Sequence, residues 1–327
     1  MPNAQSLHID KLLTNISIGY SNEEYIADKI FLPVPVQKQS DIYPVYGKEM
    51  FRRFDDRRAP GTEANEITWS YSKDTYYCDG HALRALVTDE EVANEDDVFD
   101  IESDATENVT NNILLNKEYD AASKLLDASN YASDLSFSMG STDNPPKWSD
   151  YLTDPDSYTS DPVLDIQKAK ERMHKKGGIR PNTLILSEGV MNVLRTHPRI
   201  LKLFAGIAAV SIATEDQVKM ALGVDKVIVG RALKTEAEDF NPVGDLDYIW
   251  GNSAILCYIP PKPGKRVKAL GYTFMWDAYG NGSIQTHKWY ERGKGATIIE
   301  VRRYYDHKIV SNIAGFLFAD AVTPLGA

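Results

Sequence analysis

The sequence predicts a mixed α+β fold, and three stretches predict it. Residues 180–231 read as a compact α/β unit with a cap or breaker at nearly every join. Residues 41–77 read as one long antiparallel hairpin, and from about residue 265 onward the chain is strand-rich.

In the α/β unit the expected order is strand, helix, second short helix, strand, helix, strand. Asn182 to Leu186 is a short apolar run, and Ser187 is placed to cap the helix after it. Pro198 stands where the second helix can begin, because proline at the first helical position gives up no needed N–H. Thr214 and Gln217 have the spacing of a capping box, and Gly223 can close that helix in a left-handed turn. Val227, Ile228 and Val229 then read as a buried-type strand. No residue in the unit has an evident catalytic pattern.

At 327 residues, with 43% apolar and 25% charged content, the chain has room for two domains, or one with large excursions. A formal net charge of −11 argues against a surface built to grip phosphates, which needs clustered Lys and Arg. Cys78 and Cys257 lie far apart in strand-like runs and are expected as small buried hydrophobes in a reducing compartment. Residues 1–20 hold no basic leader before an apolar block, and no run approaches the ~20 apolar residues of a membrane span. Synthesis in the cytosol without a membrane partner is expected.

From the N-terminus, residues 1–30 read as an arm or short helix packed onto something else. In Phe31 to Val36 two prolines exclude a helix and a central strand, leaving an extended or edge segment. The hairpin's first arm turns basic at Lys48, Arg52, Arg53, Arg57 and Arg58, and Ala59-Pro60-Gly61 marks the turn. Its return arm puts Ile67, Trp69, Tyr71, Lys73, Thr75 and Tyr77 on one face. A two-stranded hairpin of this length needs a support, either its own domain or another subunit. Asp89 to Glu107 holds ten acidic residues and no basic one. It leads into a helix expected over about 100–130, with a solvated acidic face and an apolar stripe that includes Tyr119.

Residues 129–161, rich in Ser, Asp, Asn and Pro, read as a surface excursion. Asp150, Asp154, Asp156 and Asp161 in it lack a calcium-loop pattern. Asp161-Pro162 opens a helix stopped at Gly177-Gly178. Tyr248 to Tyr258 reads as one strand. Tyr272–Trp276 and Ile284–Tyr290 flank Gly280-Asn281-Gly282, a tight-turn signal that predicts a hairpin between them. Ala296 to Tyr305 is a further alternating strand, followed by an apolar segment from Ile313 to Val322.

No metal, nucleophile or phosphate-loop motif survives inspection. None of the six histidines has a partner at metal-ligand spacing, and His174 and His197 read as solvated positions on helix surfaces. Gly293 to Thr297 lacks the Ser/Thr after its lysine and runs into a strand, so it is no phosphate loop. Carboxylates abound without two being singled out, which leaves a carboxylate-dependent hydrolase as a distant reading. No cofactor is expected.

The order of these parts resembles the major capsid protein of tailed bacteriophages, with the Hong Kong 97-type fold. The likeness covers nearly the whole chain and rests on Ile26 to Val36, Arg58-Ala59-Pro60-Gly61-Thr62-Glu63 and Ala221 to Gly230. It implies an N-terminal arm (1–40), an extended E-loop hairpin (41–80) and a peripheral domain with spine helix and surface excursion (81–158). An axial domain (159–260) and return strands of the peripheral domain (261–327) complete it. Relatives cross-link subunits in some cases, but no motif identifies such a partner here. The resemblance implies a non-enzymatic shell protein of the virion, assembled in the host cytoplasm as hexamers and pentamers around double-stranded DNA. That DNA would be held without sequence-specific contact, with portal, scaffolding and decoration proteins as further partners. Subunit-interface candidates are Arg52, Arg53, Arg57, Arg58, Pro60, Gly61 and Glu63 on the hairpin, Glu95, Asp96 and Asp97 in the acidic segment, and Leu203 and Phe204 on the axial unit. An encapsulin-like nanocompartment enclosing a cargo enzyme is the runner-up.

Overall fold

Strand pairing between distant segments builds two five-stranded sheets in the computed structural model. It describes residues 24–45, 72–94, 100–141, 144–153, 159–204, 212–235, 246–264, 268–277 and 284–323. Isolated positions at 13, 14, 17, 53, 56–58, 60, 61, 63, 64, 66 and 67 are described as well. One sheet, labelled peripheral after the expectation above, contains β1 (Leu32–Val36), β4 (Asp79–Thr88), β11 (Gly271–Trp276), β12 (Ile284–Glu291) and β13 (Ala296–Ile309). The other, labelled axial in the same way, runs in the order β5 (Ser136–Ser138), β14 (Gly315–Ala319), β10 (Ala254–Cys257), β6 (Thr183–Ser187), β7 (Lys226–Gly230). β2 (Ser40–Val45) and β3 (Ser72–Tyr77) pair antiparallel as the hairpin base, and β8 (Leu233–Lys234) pairs with β9 (Asp247–Tyr248).

The long helix forms as its spacing predicts. It follows α1 (Ala27–Ile30) and α2 (Asp89–Ala93) and spans Ile101–Leu126 as α3, with the Asp100 carboxylate capping it through the Ser103 N–H. It lies across β13 and β4, packing Val109 and Ile113 against Ile284 and Val301. Its buried face differs from the expected stripe: Tyr119 is exposed, whereas Lys117 and Glu118 are buried. Beyond α4 (Asp150–Thr153), α5 (Pro162–Gly177) is capped by Asp161 and closed by Gly178 in the left-handed region at φ 64°.

In the axial unit, β6 leads through α6 (Glu188–Thr196), α7 (Pro198–Phe204) and α8 (Glu215–Leu222) to the parallel strand β7. Ser187 caps α6, Thr214 and Gln217 form the expected capping box, and Gly223 closes α8 at φ 59°. The strand expected between α7 and α8 falls mostly outside the described residues. β7 is an edge strand, with Lys226 exposed and Val227 and Val229 only half-buried, so its continuous apolar run overstated its burial.

Several expectations are corrected. The described part of 129–161 is not all surface: Trp148 and Leu135 are 0% exposed, and Tyr131, Met139 and Tyr151 join the same core. Its polar composition hid five anchors spaced too widely to show a period. β5 and β14 both belong to the axial sheet, so the boundaries expected at 158/159 and 260/261 cut through one sheet. The strand expected over 248–258 is broken by a turn, with Gly251 at φ 56°.

The expected hairpin between β11 and β12 does not form. Tyr305 of β13 pairs with Asp79 of β4 and Met275 of β11, while Arg303 pairs with His81 of β4 and Ile284 of β12. β4 therefore occupies one edge of β13, and β11 and β12 share the other end to end, both antiparallel to it. Gly280, Asn281 and Gly282 lie outside the described residues. β4 itself matched no expected strand, because its exposed Leu83 and Leu86 blur the alternation.

Candidate assembly interface

The hairpin base is seated on its own peripheral sheet. Tyr76 stacks on Phe274 with ring centroids 4.5 Å apart, Tyr43 tilts against the same ring, and the Tyr43 hydroxyl donates to Asp74 at 2.7 Å. Burial pushes the Tyr43 phenol far above its usual range, and acceptance by Asp74 adds to this. The buried face is thus that of Tyr76 and Asp74; Lys73, Thr75 and Tyr77, on the face with more apolar residues, are exposed. Beside the base, Val34, Val36, Tyr43, Phe274 and Val310 line a mostly apolar groove of about 570 Å³. On the peripheral sheet's edge, Pro33 and Pro35 of β1 cannot donate outward, which blocks further pairing there.

Toward the tip, Arg53, Arg57, Arg58, Pro60, Gly61 and Glu63 are all exposed, and Gly61 adopts φ +83°, as a turn requires. Arg52, Glu95, Asp96 and Asp97 lie outside the described residues. On the axial unit Leu203 is 50% exposed, whereas Phe204 packs against the core, so α7 offers the first outward and the second inward.

A buried polar node, missed in the sequence, joins the arm to both sheets. The Glu118 carboxylate accepts from the Ile26 N–H at 2.9 Å, the Ala27 N–H at 2.8 Å and the Trp250 indole N–H at 2.7 Å. Burial raises its pKa, and these three donors pull against that rise. Next to it Lys117, 2% exposed, pairs with Asp28 of α1. Burial brings the Lys117 ammonium down to about 8, with the neighbouring Arg303 adding to the fall. For Asp28, burial pulls upward, but Lys117 outweighs it and holds the carboxyl below its usual value. On β13, Tyr305 donates to Asp120 at 2.9 Å, and His307 shares a 2.8 Å bond with Thr273. Burial, with Lys117 and Lys124 nearby, drives His307 down to about 3. Two adjacent charged residues on a helix ordinarily signal a solvated face, so no sequence signal separated these.

His197 is likewise buried, at 0% exposure, and burial lowers its pKa to about 4. Its Nδ1 accepts the Arg199 N–H at 3.1 Å, so the neutral ring carries its proton on Nε2 and donates to Ser160 Oγ at 3.1 Å. A ring that donates to the serine cannot take its proton, which removes this pair as a nucleophile and base. Cys78 and Cys257 are free and buried. Among the described residues no cluster of three or more His, Cys, Asp or Glu could hold a metal, and no helix is long and apolar enough to cross a membrane.

No family model matches the chain. The major capsid protein of Burkholderia phage BcepMu is 27% identical over 271 residues, covering 81% of this chain and 82% of that one. The major capsid protein of Pseudomonas phage JBD67 is 28% identical over 322 residues, covering 96% and 97%. The crystal structure of a phage-related protein from Bordetella bronchiseptica RB50 matches with a TM-score of 0.73 and 25% identity, over 98% of this chain and 99% of that one. At the level of fold alone, the mature capsid of bacteriophage PhiM1 matches at TM-score 0.55 and an encapsulin from Synechococcus elongatus at 0.52. The fold is therefore the Hong Kong 97-type capsid fold. Within that class, the chain is a homologue of phage major capsid proteins.

Proposed function

We propose that this chain is a major capsid protein, a structural subunit whose copies assemble into the icosahedral shell around the double-stranded DNA of a tailed phage. The observation that carries this is similarity to phage major capsid proteins over nearly the full length of both chains. The encapsulin likeness is one of fold, at 12% identity, and does not extend to sequence. The hairpin supports self-association: its base rests at home, while residues 46–71 are long enough to reach at most roughly 40 Å beyond it. Its exposed arginines complement the acidic stretch 89–107, which makes a neighbouring copy the fitting dock. A net charge of −11 suits a wall around DNA held without sequence-specific contact. Hexamers and pentamers in the virion, assembly in the host cytoplasm, and contacts with portal, scaffolding and decoration proteins follow from this reading.

The test is electron microscopy of the purified chain at high concentration, with the content of any particles analysed. Closed shells or capsomers are expected. A chain that stays monomeric under all assembly conditions and turns over a substrate would overturn the proposal. Particles that package a protein in place of DNA would favour the nanocompartment reading.

A further inference from the structure

Glu118 joins three elements that a shell subunit has to hold at fixed angles. It is 1% exposed on α3 and binds the two N–H groups opening α1 on one side and the Trp250 indole on the other. α1 leads directly into β1 and then into the hairpin base. Trp250 lies between β9 and β10, over the end of β7, where a Cβ on Gly230 would meet its ring at 2.2 Å. Lys117, one residue earlier, fastens the same short helix through Asp28. Two other buried polar pairs act within one part: Tyr305 and Asp120 tie β13 to α3, and Ser160 and His197 stay inside the axial unit.

The chemistry of the joint requires a carboxylate. Three donors converge on it, and an ionised carboxylate is acceptor-only, with two oxygens and about four lone-pair sites. A glutamine there would aim its own N–H₂ at a donor.

We infer that Glu118 is a positioning residue for shell assembly: by fixing α1 against the axial turn it sets the angle between hairpin and axial unit, and with it the curvature of the shell. The inference rests on the shell-building reading above. Leverage makes the angle matter, since about 5° at the base would move the end of an arm extended to ~40 Å by roughly 3–4 Å, enough to break a hydrogen bond there.

The test uses Glu118→Gln, which keeps the volume and replaces one acceptor oxygen with an N–H₂, with Trp250→Phe, which keeps an aromatic ring over Gly230 but loses the donor and part of the indole's volume, as the second variant. The first measurement is amide hydrogen exchange on the unassembled full chain. With the indole donor gone, Glu118 loses one of the three bonds that fix it against α1. Exchange at Ile26 and Ala27 is expected to rise about tenfold, with the β13 amides unchanged. The second is particle diameter by electron microscopy. The parent should give a single size class, and both variants mixed diameters or open sheets, while Trp250→Phe unfolds thermally within a few degrees of the parent. Parental exchange at Ile26 and Ala27 in both variants would overturn the joint. Faster exchange with parental particle diameters would overturn the control of curvature. If the parent forms no particles, the shell reading fails and curvature control with it, while the exchange arm still reports on the joint by itself.

Discussion

Lys117 and Asp28 form an ion pair of unequal ends: the lysine side chain is 2% exposed and the aspartate 52%. Breaking it from the exposed side strands the buried charge. Asp28→Asn is expected to destabilise the chain by about 1–2 kcal/mol, less than the ~3–5 kcal/mol of a fully buried pair because water reaches Asp28. Lys117→Met, which removes the buried charge and keeps the volume, should cost less than Asp28→Asn. Urea unfolding of the two variants checks the order; the reverse order would mean that the pair stabilises by more than it costs to bury.

Three buried histidines, His197, His287 and His307, predict sensitivity to mild acid. His307 and His197 have folded values near 3 and 4, below the ordinary 6.5. Between those values the unfolded chain binds a proton that the folded one refuses, so stability is full above about pH 6.5 and falls as pH drops toward 4. His197→Asn, whose side-chain oxygen can still accept the Arg199 N–H, should flatten that part of the profile. Thermal midpoints measured from pH 7.5 to 4 on both proteins test this, and parallel profiles would count against His197 as a contributor.

Trp148 tests the core assignment of the 129–161 stretch. It is 0% exposed, contacts Phe318 and donates to Asp165 at 3.1 Å. Trp148→Ala should cost about 3–5 kcal/mol, as for a large buried aromatic, whereas a surface tryptophan would cost under ~0.5 kcal/mol. Denaturant titration distinguishes them.

The hairpin tip should behave in the opposite way. Replacing exposed Arg57 and Arg58 with Glu is expected to leave the unfolding midpoint of the subunit within a few degrees while lowering particle yield at least tenfold. Light scattering during assembly, beside a thermal melt of the unassembled chain, supplies both numbers. Equal losses would show that the tip packs on its own subunit.

What the sequence determined by itself was local. Ser187, Thr214 with Gln217, Asp161 and Gly223 act on their own helix ends, through bonds spanning three or four residues, and each does what its spacing predicts. Motif order along the chain also sufficed to suggest the capsid fold that the structural likeness bears out. The described residues toward the hairpin tip are exposed.

Only the tertiary structure decided which faces are buried and which strands meet. β11 and β12 share one edge of β13, a pairing set by sheet register and invisible to a Gly-Asn-Gly turn signal. Tyr76 is buried and Tyr77 exposed because Phe274, some two hundred residues away, supplies the surface for one of them. Glu118 reads as one more charge on an acidic helix until Ile26, Ala27 and Trp250 bring their N–H groups to it. Capping and periodicity are written in neighbouring residues, but burial depends on what arrives from elsewhere in the chain.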